Sequence, residues 1–88
     1  MKGIEIIPLA RRKMDRRGIP ESWVAEALKS ADQIVEGYGG RLVAQQRRKI
    51  RRKEKLLRVV FQETEDKYLV ITAYLTSDVM RYWKDDTK

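Results

Sequence analysis

The residues of this chain with the clearest chemical potential are cations crowded into one short segment, residues 47–53, called the basic run below. Six of its seven residues are cations, namely Arg47, Arg48, Lys49, Arg51, Arg52 and Lys53. Like charges at this density repel one another, so the run indicates a polyanion or an acidic protein whose negative charge offsets this repulsion. Such blocks are more often disordered tails, but this one lies between two strand-like segments, residues 41–46 and 56–62. We therefore predict a charged face held by a fold, with RNA or another nucleic acid as partner; a merely solvated face is the alternative.

Composition narrows the classes of protein to which the chain can belong. At 88 residues, 42% of them hydrophobic, it is expected to form one globular domain, residues 1–88. The net charge of +7 favours a nucleic acid or an acidic protein that mimics one. The longest apolar stretch, residues 69–75, is too short to span a bilayer, and the first residues lack the apolar core of a signal peptide. We expect a cytoplasmic protein with no membrane partner.

Two absent residue types restrict the chemistry. The chain has no cysteine, which excludes disulfides, thiolate catalysis and zinc sites built on sulfur. It also has no histidine, the side chain best suited to proton transfer near neutral pH and the commonest metal ligand. We expect no metal site and no cofactor, and a site without histidine can work with lysine, arginine and tyrosine.

Periodicity predicts two helices followed by strands. Pro8 suits a first helical position, and the helical stripe that follows it stops at Gly18. A second helix is predicted from Pro20 and Glu21, with Trp23 on its core side. Residues 4–7 read as a short apolar lead-in.

After these helices the period of the apolar pattern changes to two. Strands are predicted over residues 33–38, 41–46, 56–63 and 68–75, with Gly39-Gly40 as a hairpin turn. Residues 78–84 are expected to form one helical turn or an extended tail. The expected fold is α+β: two N-terminal helices packed on one face of a curved antiparallel sheet of about four strands. The arginines and tyrosines would lie on the opposite face.

Four segments together resemble a known family. Residues 10–20 (ARRKMDRRGIP) resemble the opening of a family of small bacterial and archaeal domains of unknown function, which belong to the barnase–EndoU–colicin–RelE nuclease superfamily. Residues 57–61 (LRVVF), residues 70–74 (VITAY) and the pair Arg81-Tyr82 resemble its later motifs, in the same order and with ordinary spacing.

This resemblance implies a RelE- or BrnT-like toxin scaffold whose concave sheet face handles RNA, and a cognate antitoxin as protein partner. The family's common histidine falls at Leu9 here, so a non-catalytic nucleic-acid-binding module on the same scaffold stays open. A third possibility is an interaction protein whose cations serve only an acidic partner. The positions that carry over are Lys13, Arg17, Arg58, Thr72, Tyr74, Arg81 and Tyr82.

RNA cleavage through the 2′-hydroxyl needs a base, an acid and cations that stabilise the phosphorane, but no metal. Lysine and tyrosine ordinarily titrate at about 10, and neighbouring cations lower both values. Lys49 and Tyr74 are the candidate base and acid, in either order, and Arg58 and Arg81 are the candidate phosphate clamp, since a guanidinium matches phosphate oxygens bidentately. The expected RNA is mRNA, either free or on the ribosome. The residues expected to hold it are Arg47, Arg48, Arg51, Arg52, Lys53, Lys13 and Tyr82.

Overall fold

A computed structural model describes residues 2–84 and contains three α-helices and one five-stranded sheet. A single 3₁₀ turn, Tyr38–Gly40, joins two of the strands. In chain order the elements are β1 (Gly3–Ile6), α1 (Pro8–Arg17), α2 (Glu21–Lys29), β2 (Gln33–Glu36), β3 (Leu42–Ile50), β4 (Lys53–Glu63), β5 (Lys67–Thr76) and α3 (Val79–Tyr82). The α+β class is confirmed.

The sheet differs in detail from the expected four antiparallel strands. Its order is β1-β5-β4-β3-β2, and β1 pairs with β5 in parallel, so the sheet is mixed. The fifth strand is the segment interpreted above as a lead-in. Only Ile6 of β1 is buried, so the strand shows no apolar alternation that would predict it. The strand forms because it pairs with β5, where Ile6 lies opposite Val70. The two strands predicted to be central, β4 and β5, are internal, as expected.

Both N-terminal helices form where the sequence predicts them. Pro8 opens α1, and the helix ends at Gly18, whose φ of 68° is the left-handed conformation that glycine adopts without a Cβ clash. The amide of Gly18 bonds back to the carbonyl of Asp15 at 3.2 Å. Pro20 precedes α2 in an extended conformation, and Lys29 ends that helix.

One buried cluster joins the helices to the sheet. Apart from Ile6 of β1, Ile19 and Ala44, its members are Ala10 and Met14 of α1, Val24, Ala27 and Leu28 of α2, and Leu57, Val59, Phe61, Val70 and Ala73 of the central strands. Burial of each larger side chain stabilises the fold by about 1.5–3 kcal/mol. Successive side chains of a strand point to opposite faces, so Arg58, between Leu57 and Val59, lies on the face away from this cluster.

The short helix α3 partly covers that opposite face. Val79 is buried, and the ring of Tyr82 lies against the Arg58 guanidinium. Of the two predicted forms for residues 78–84, the helical turn is therefore the one observed. No helix within residues 2–84 is long and apolar enough to cross a membrane.

The basic run lies in a β-hairpin. β3 continues to Ile50 and β4 begins at Lys53, so both strands extend further than the pattern predicted. The two-residue loop between them is Arg51-Arg52, and both residues have positive φ, 52° and 69°. This is the backbone that a type I′ hairpin turn requires, and it is normally occupied by Asn-Gly or similar pairs.

Candidate nucleic-acid interface

Four predicted site residues come together on the face opposite the main core: Arg58, Tyr74, Arg81 and Tyr82, called the arginine–tyrosine cluster below. Arg58 and Tyr74 are direct cross-strand neighbours on β4 and β5, and an Nη of Arg58 donates a hydrogen bond to the Tyr74 hydroxyl. The Arg58 guanidinium lies 4.1 Å from the centre of the Tyr82 ring, and that of Arg81 lies 5.3 Å from it. The two tyrosine rings meet edge to face at 6.5 Å. The arrangement fixes one guanidinium against one phenol oxygen.

Gln45 supports the cluster, and sequence reasoning missed it. Its side chain is fully buried, and its Oε1 accepts a hydrogen bond of 2.7 Å from Nε of Arg58. Its Nε2 donates to Gln33 Oε1 at 3.0 Å and to the Tyr82 carbonyl at 3.2 Å. A buried amide with three partners orients both the arginine and the helix that carries Tyr82. The sequence signal for this residue is its position two residues after Val43, on the same face of β3 as that buried valine.

The cluster holds positive charge without a compensating carboxylate in residues 2–84. Neither Arg58 nor Arg81 forms an ion pair within that part of the chain. The ion pairs found there join Lys2 to Glu63, Arg11 to Glu21, Arg47 to Glu54, Arg48 to Glu26 and Lys67 to Glu5. Arg58 is half-buried, so its charge is only partly screened by water. Such a group favours an anion, and a phosphate matches its fork of donors.

Lys49, the other candidate for proton transfer, does not join the cluster. It lies on β3 four residues beyond Gln45, the neighbour of Arg58, which corresponds to about 13 Å along a strand. Its direct partner across the hairpin is Glu54. Lys49 and Tyr74 are therefore not positioned to act on the same phosphate group.

The pleat of β3 divides the basic run between both faces of the sheet. Arg47 stacks on Trp83 at 4.2 Å on the side of Arg58. Arg48 stacks on Trp23 at 4.4 Å on the side of α2, where it also bonds to Glu26 at 3.0 Å. These two arginines thus contact their own protein, and the remaining cations of the run point to solvent around the hairpin tip.

Two carried-over positions at the edge of β5 also come together. An Nη of Arg17 donates to the Ala73 carbonyl at 2.8 Å and to the Thr72 hydroxyl at 3.4 Å. Because β1 pairs only with residues 67–70, this part of β5 has an unpaired edge, which Arg17 covers. Lys13 is half-buried one helical turn before Arg17 on α1.

No group of three or more carboxylates in residues 2–84 is arranged to hold a metal ion. The groups that meet at the cluster are guanidinium and phenol donors. This set can bind an anion and can exchange a proton at the Tyr74 hydroxyl.

Comparison with known proteins gives a family but no activity. The model of the family described as "Domain of unknown function (DUF4258)" matches residues 10–75, about three quarters of the chain. That span includes α1 from Ala10 onward, α2 and the strands from β2 to β5 up to Leu75. No curated protein and no solved structure matches the chain significantly.

Proposed function

We propose that this chain, which belongs to the DUF4258 family, is a RelE-like toxin-type endoribonuclease that cuts RNA without a metal ion. The observation that carries the proposal is the Arg58–Tyr74 contact. The Arg58 guanidinium, which has no carboxylate partner within residues 2–84, contacts the hydroxyl of Tyr74. Tyr74 is the tyrosine predicted from the sequence to take part in proton transfer. Arg81 and Tyr82 beside it extend the same surface.

The chemistry assigned to the cluster uses the RNA's own nucleophile. The 2′-hydroxyl oxygen attacks the adjacent phosphorus, a P–O bond forms, and its proton passes to water. Arg58 and Arg81 stabilise the doubly charged phosphorane through paired N–H donors. The bond from phosphorus to the 5′ oxygen then breaks, and that oxygen takes the phenol proton of Tyr74. The products are a 2′,3′-cyclic phosphate and a 5′-hydroxyl, and Tyr74 regains its proton from solvent.

Tyr74 is preferred to Lys49 as the acid for a geometric reason. An Nη of Arg58 donates into the Tyr74 hydroxyl oxygen, which leaves the phenol's own hydrogen free to pass to the leaving 5′ oxygen. Lys49 lies about 13 Å along the strand. In this proposal Lys49 belongs with the residues that hold RNA.

A second candidate function has an observation of its own. Gln45 and Tyr74 already satisfy two Arg58 donors, and the Tyr82 ring covers the guanidinium at 4.1 Å. These contacts hold the Arg58 guanidinium in one position, which is compatible with a rigid binding surface as well as with a catalytic site. The same scaffold would then be a non-catalytic RNA-binding module, or a surface for an acidic protein.

The protein partner proposed for the toxin is an antitoxin with an acidic or amphipathic segment. Arg58 and Arg81 have no carboxylate partner within residues 2–84, so their charge gives such a segment its contact, and covering the cluster would block RNA. Both proteins would act in the cytoplasm, where mRNA is translated.

A metal-free cleavage assay tests the proposal. The protein is incubated in EDTA with labelled RNA, free and ribosome-bound, the ends are mapped, and binding is followed separately by anisotropy. Tyr74→Phe should lower cleavage by about 10²–10⁴-fold while RNA affinity changes less than about threefold. Tyr38→Phe is the matched control, because it removes the same hydroxyl from a residue that is 96% exposed in the 3₁₀ turn.

The outcomes separate the candidate functions. Cyclic-phosphate ends that disappear in Tyr74→Phe support the enzyme. Salt-sensitive RNA binding with no cleavage on either substrate establishes the binding module instead. An RNA affinity that does not respond to salt overturns both, because phosphate contacts release counterions.

A further inference from the structure

The hairpin that carries the basic run projects beyond the sheet as a two-stranded ribbon. β2 ends its pairing with β3 at Gln45, and β5 ends its pairing with β4 at Leu56. Within residues 2–84, residues 48–55 therefore pair only with each other, and they extend roughly 10–13 Å past the sheet. Within this ribbon, defined as residues 48–55, six of the eight side chains are cations: Arg48, Lys49, Arg51, Arg52, Lys53 and Lys55.

The ribbon carries cations on both faces and at its tip. Lys49 lies on the face of Arg58, whereas Lys53 and Lys55 lie on the face of α2, since cross-strand partners share a side of the sheet. Arg51 and Arg52 occupy the exposed turn. A single phosphate strand can lie against only one of these faces. Two phosphate strands facing each other across a groove would meet all of them.

The base of the ribbon is held in place on both sides. Trp83 stacks on Arg47 on one face and Trp23 stacks on Arg48 on the other, and these are the two tryptophans of the chain. A free two-stranded ribbon is marginally stable, so these contacts fix the direction in which it points. The ribbon is thus a preformed, oriented cationic projection.

The backbone of the tip is costly for the residues it contains. Arg51 and Arg52 both have positive φ, a region that the Cβ of an L-residue disfavours. Asn-Gly would suit the turn better and would remove the charge repulsion. Unfavourable backbone and concentrated charge at the same two residues indicate that the cations serve binding rather than folding.

The width of the ribbon restricts the groove that it can enter. Two strands about 4.8 Å apart with long side chains are too broad for the deep, narrow major groove of a regular A-form RNA helix. A bulge or internal loop interrupts the stacking and opens that groove. Single-stranded RNA offers no second phosphate strand.

From this geometry we propose that the ribbon docks into the opened major groove of a bulged RNA stem. The ligand class is structured RNA with unpaired nucleotides next to a duplex, and Arg51 and Arg52 reach deepest. The inference rests on the proposed function in one respect, that the polyanion is RNA. The inference adds a class of RNA substrate to the proposed function. It also assigns RNA selection to the ribbon and RNA cleavage to the arginine–tyrosine cluster.

Binding is tested with the full chain carrying Tyr74→Phe, so that no cleavage interferes. Anisotropy compares four labelled ligands with equal phosphate counts: a bulged RNA stem-loop, a fully paired RNA stem, a single-stranded RNA and a B-form DNA duplex. The bulged stem should bind at least about tenfold more tightly than the others. Arg51→Asn with Arg52→Gly should abolish that preference and lower the slope of log K against log salt by about 1–2.

The control removes the same two charges elsewhere. Arg12→Gln with Arg16→Gln, on the exposed side of α1, should change affinity for the bulged stem less than about threefold. Equal affinity for single strand and bulged stem, tightest binding to the DNA duplex, or an equal loss in the control would each overturn the proposal. Wild-type cleavage of unstructured RNA is measured in parallel, so a failure of the ribbon and a failure of the ribonuclease give different results.

Discussion

The turn at the ribbon tip is predicted to be a weak point in the fold, and replacing Arg51 with Asn and Arg52 with Gly should stabilise the protein. Both arginines adopt positive φ, 52° and 69°. Asn tolerates this region and Gly has no Cβ to clash, so the pair fits the same backbone. The substitution also removes two neighbouring like charges from a hairpin where six of eight residues are cations.

The expected gain follows from the cost of each residue. A non-glycine residue in the left-handed region costs about 1–2 kcal/mol, which gives about 2–4 kcal/mol for the two arginines. Asn recovers only part of its share, and Gly loses about 0.5–1 kcal/mol through the extra freedom of the unfolded chain. The net stabilisation should be about 1–2 kcal/mol. For a domain of this size that corresponds to a Tm increase of about 5–15 °C.

Thermal and urea unfolding followed by circular dichroism measure the effect. The midpoint should rise with little change in the urea m-value, because the buried surface is unaltered. Arg12→Gln with Arg16→Gln, which makes the same change in net charge, separates turn strain from general charge relief. An unchanged or lower Tm for the turn variant, or an equal gain in the control, would refute the strain argument.

Three further predictions follow from named contacts. Gln45→Leu should destabilise the fold by about 2 kcal/mol in urea unfolding and loosen Arg58, because the arginine Nε loses its buried acceptor; unchanged stability would show that water replaces the amide. Arg17→Met, which keeps the apolar stem, should cost about 1 kcal/mol and increase concentration-dependent association by exposing the β5 edge, as measured by light scattering. The carboxylate of Glu5 raises the pKa of Lys67 above its ordinary 10.5, so this pair's small contribution is complete below pH 10.5 and disappears as the pH rises through the higher folded value. Glu5→Gln should remove that alkaline component from the pH dependence of Tm, whereas an identical pH profile would contradict the pairing.

Local rules were sufficient for the helices and for β4. Pro8 and Gly18 delimit α1 through their own backbone preferences, and the alternation in residues 56–63 holds in β4. The alternation predicted for residues 68–75 is wrong in the first half of β5, because a shift in register that skips Ile71 puts Val70 and Ala73 in the same core cluster. The alternation around Arg58 also placed it correctly opposite the core. Where a residue's own φ or the period of its neighbours decides, a single sequence suffices.

β1 could not be predicted in the same way. Its four residues include one buried side chain, and the strand depends on hydrogen bonds to β5 more than sixty residues later in the chain. A parallel pairing of that kind leaves no periodic trace in so short a segment. Pairing between strands also explains why β3 and β4 are longer than their apolar patterns predict. The two strands remain paired through the charged residues as far as Ile50 and Lys53.

The sequence by itself determined the α+β class, the cationic surface, the absence of histidine and cysteine chemistry, and the nomination of Arg58, Tyr74, Arg81 and Tyr82. Tertiary structure decided which of these groups touch. It placed Lys49 away from Tyr74, put Gln45 beneath Arg58, and divided the basic run between two faces and a strained tip. The physical reason is register: a shift of one residue in a strand reverses every side chain. The number of charged residues can therefore be read from the sequence, whereas the face of the sheet on which each charged side chain lies depends on the pairing of the strands.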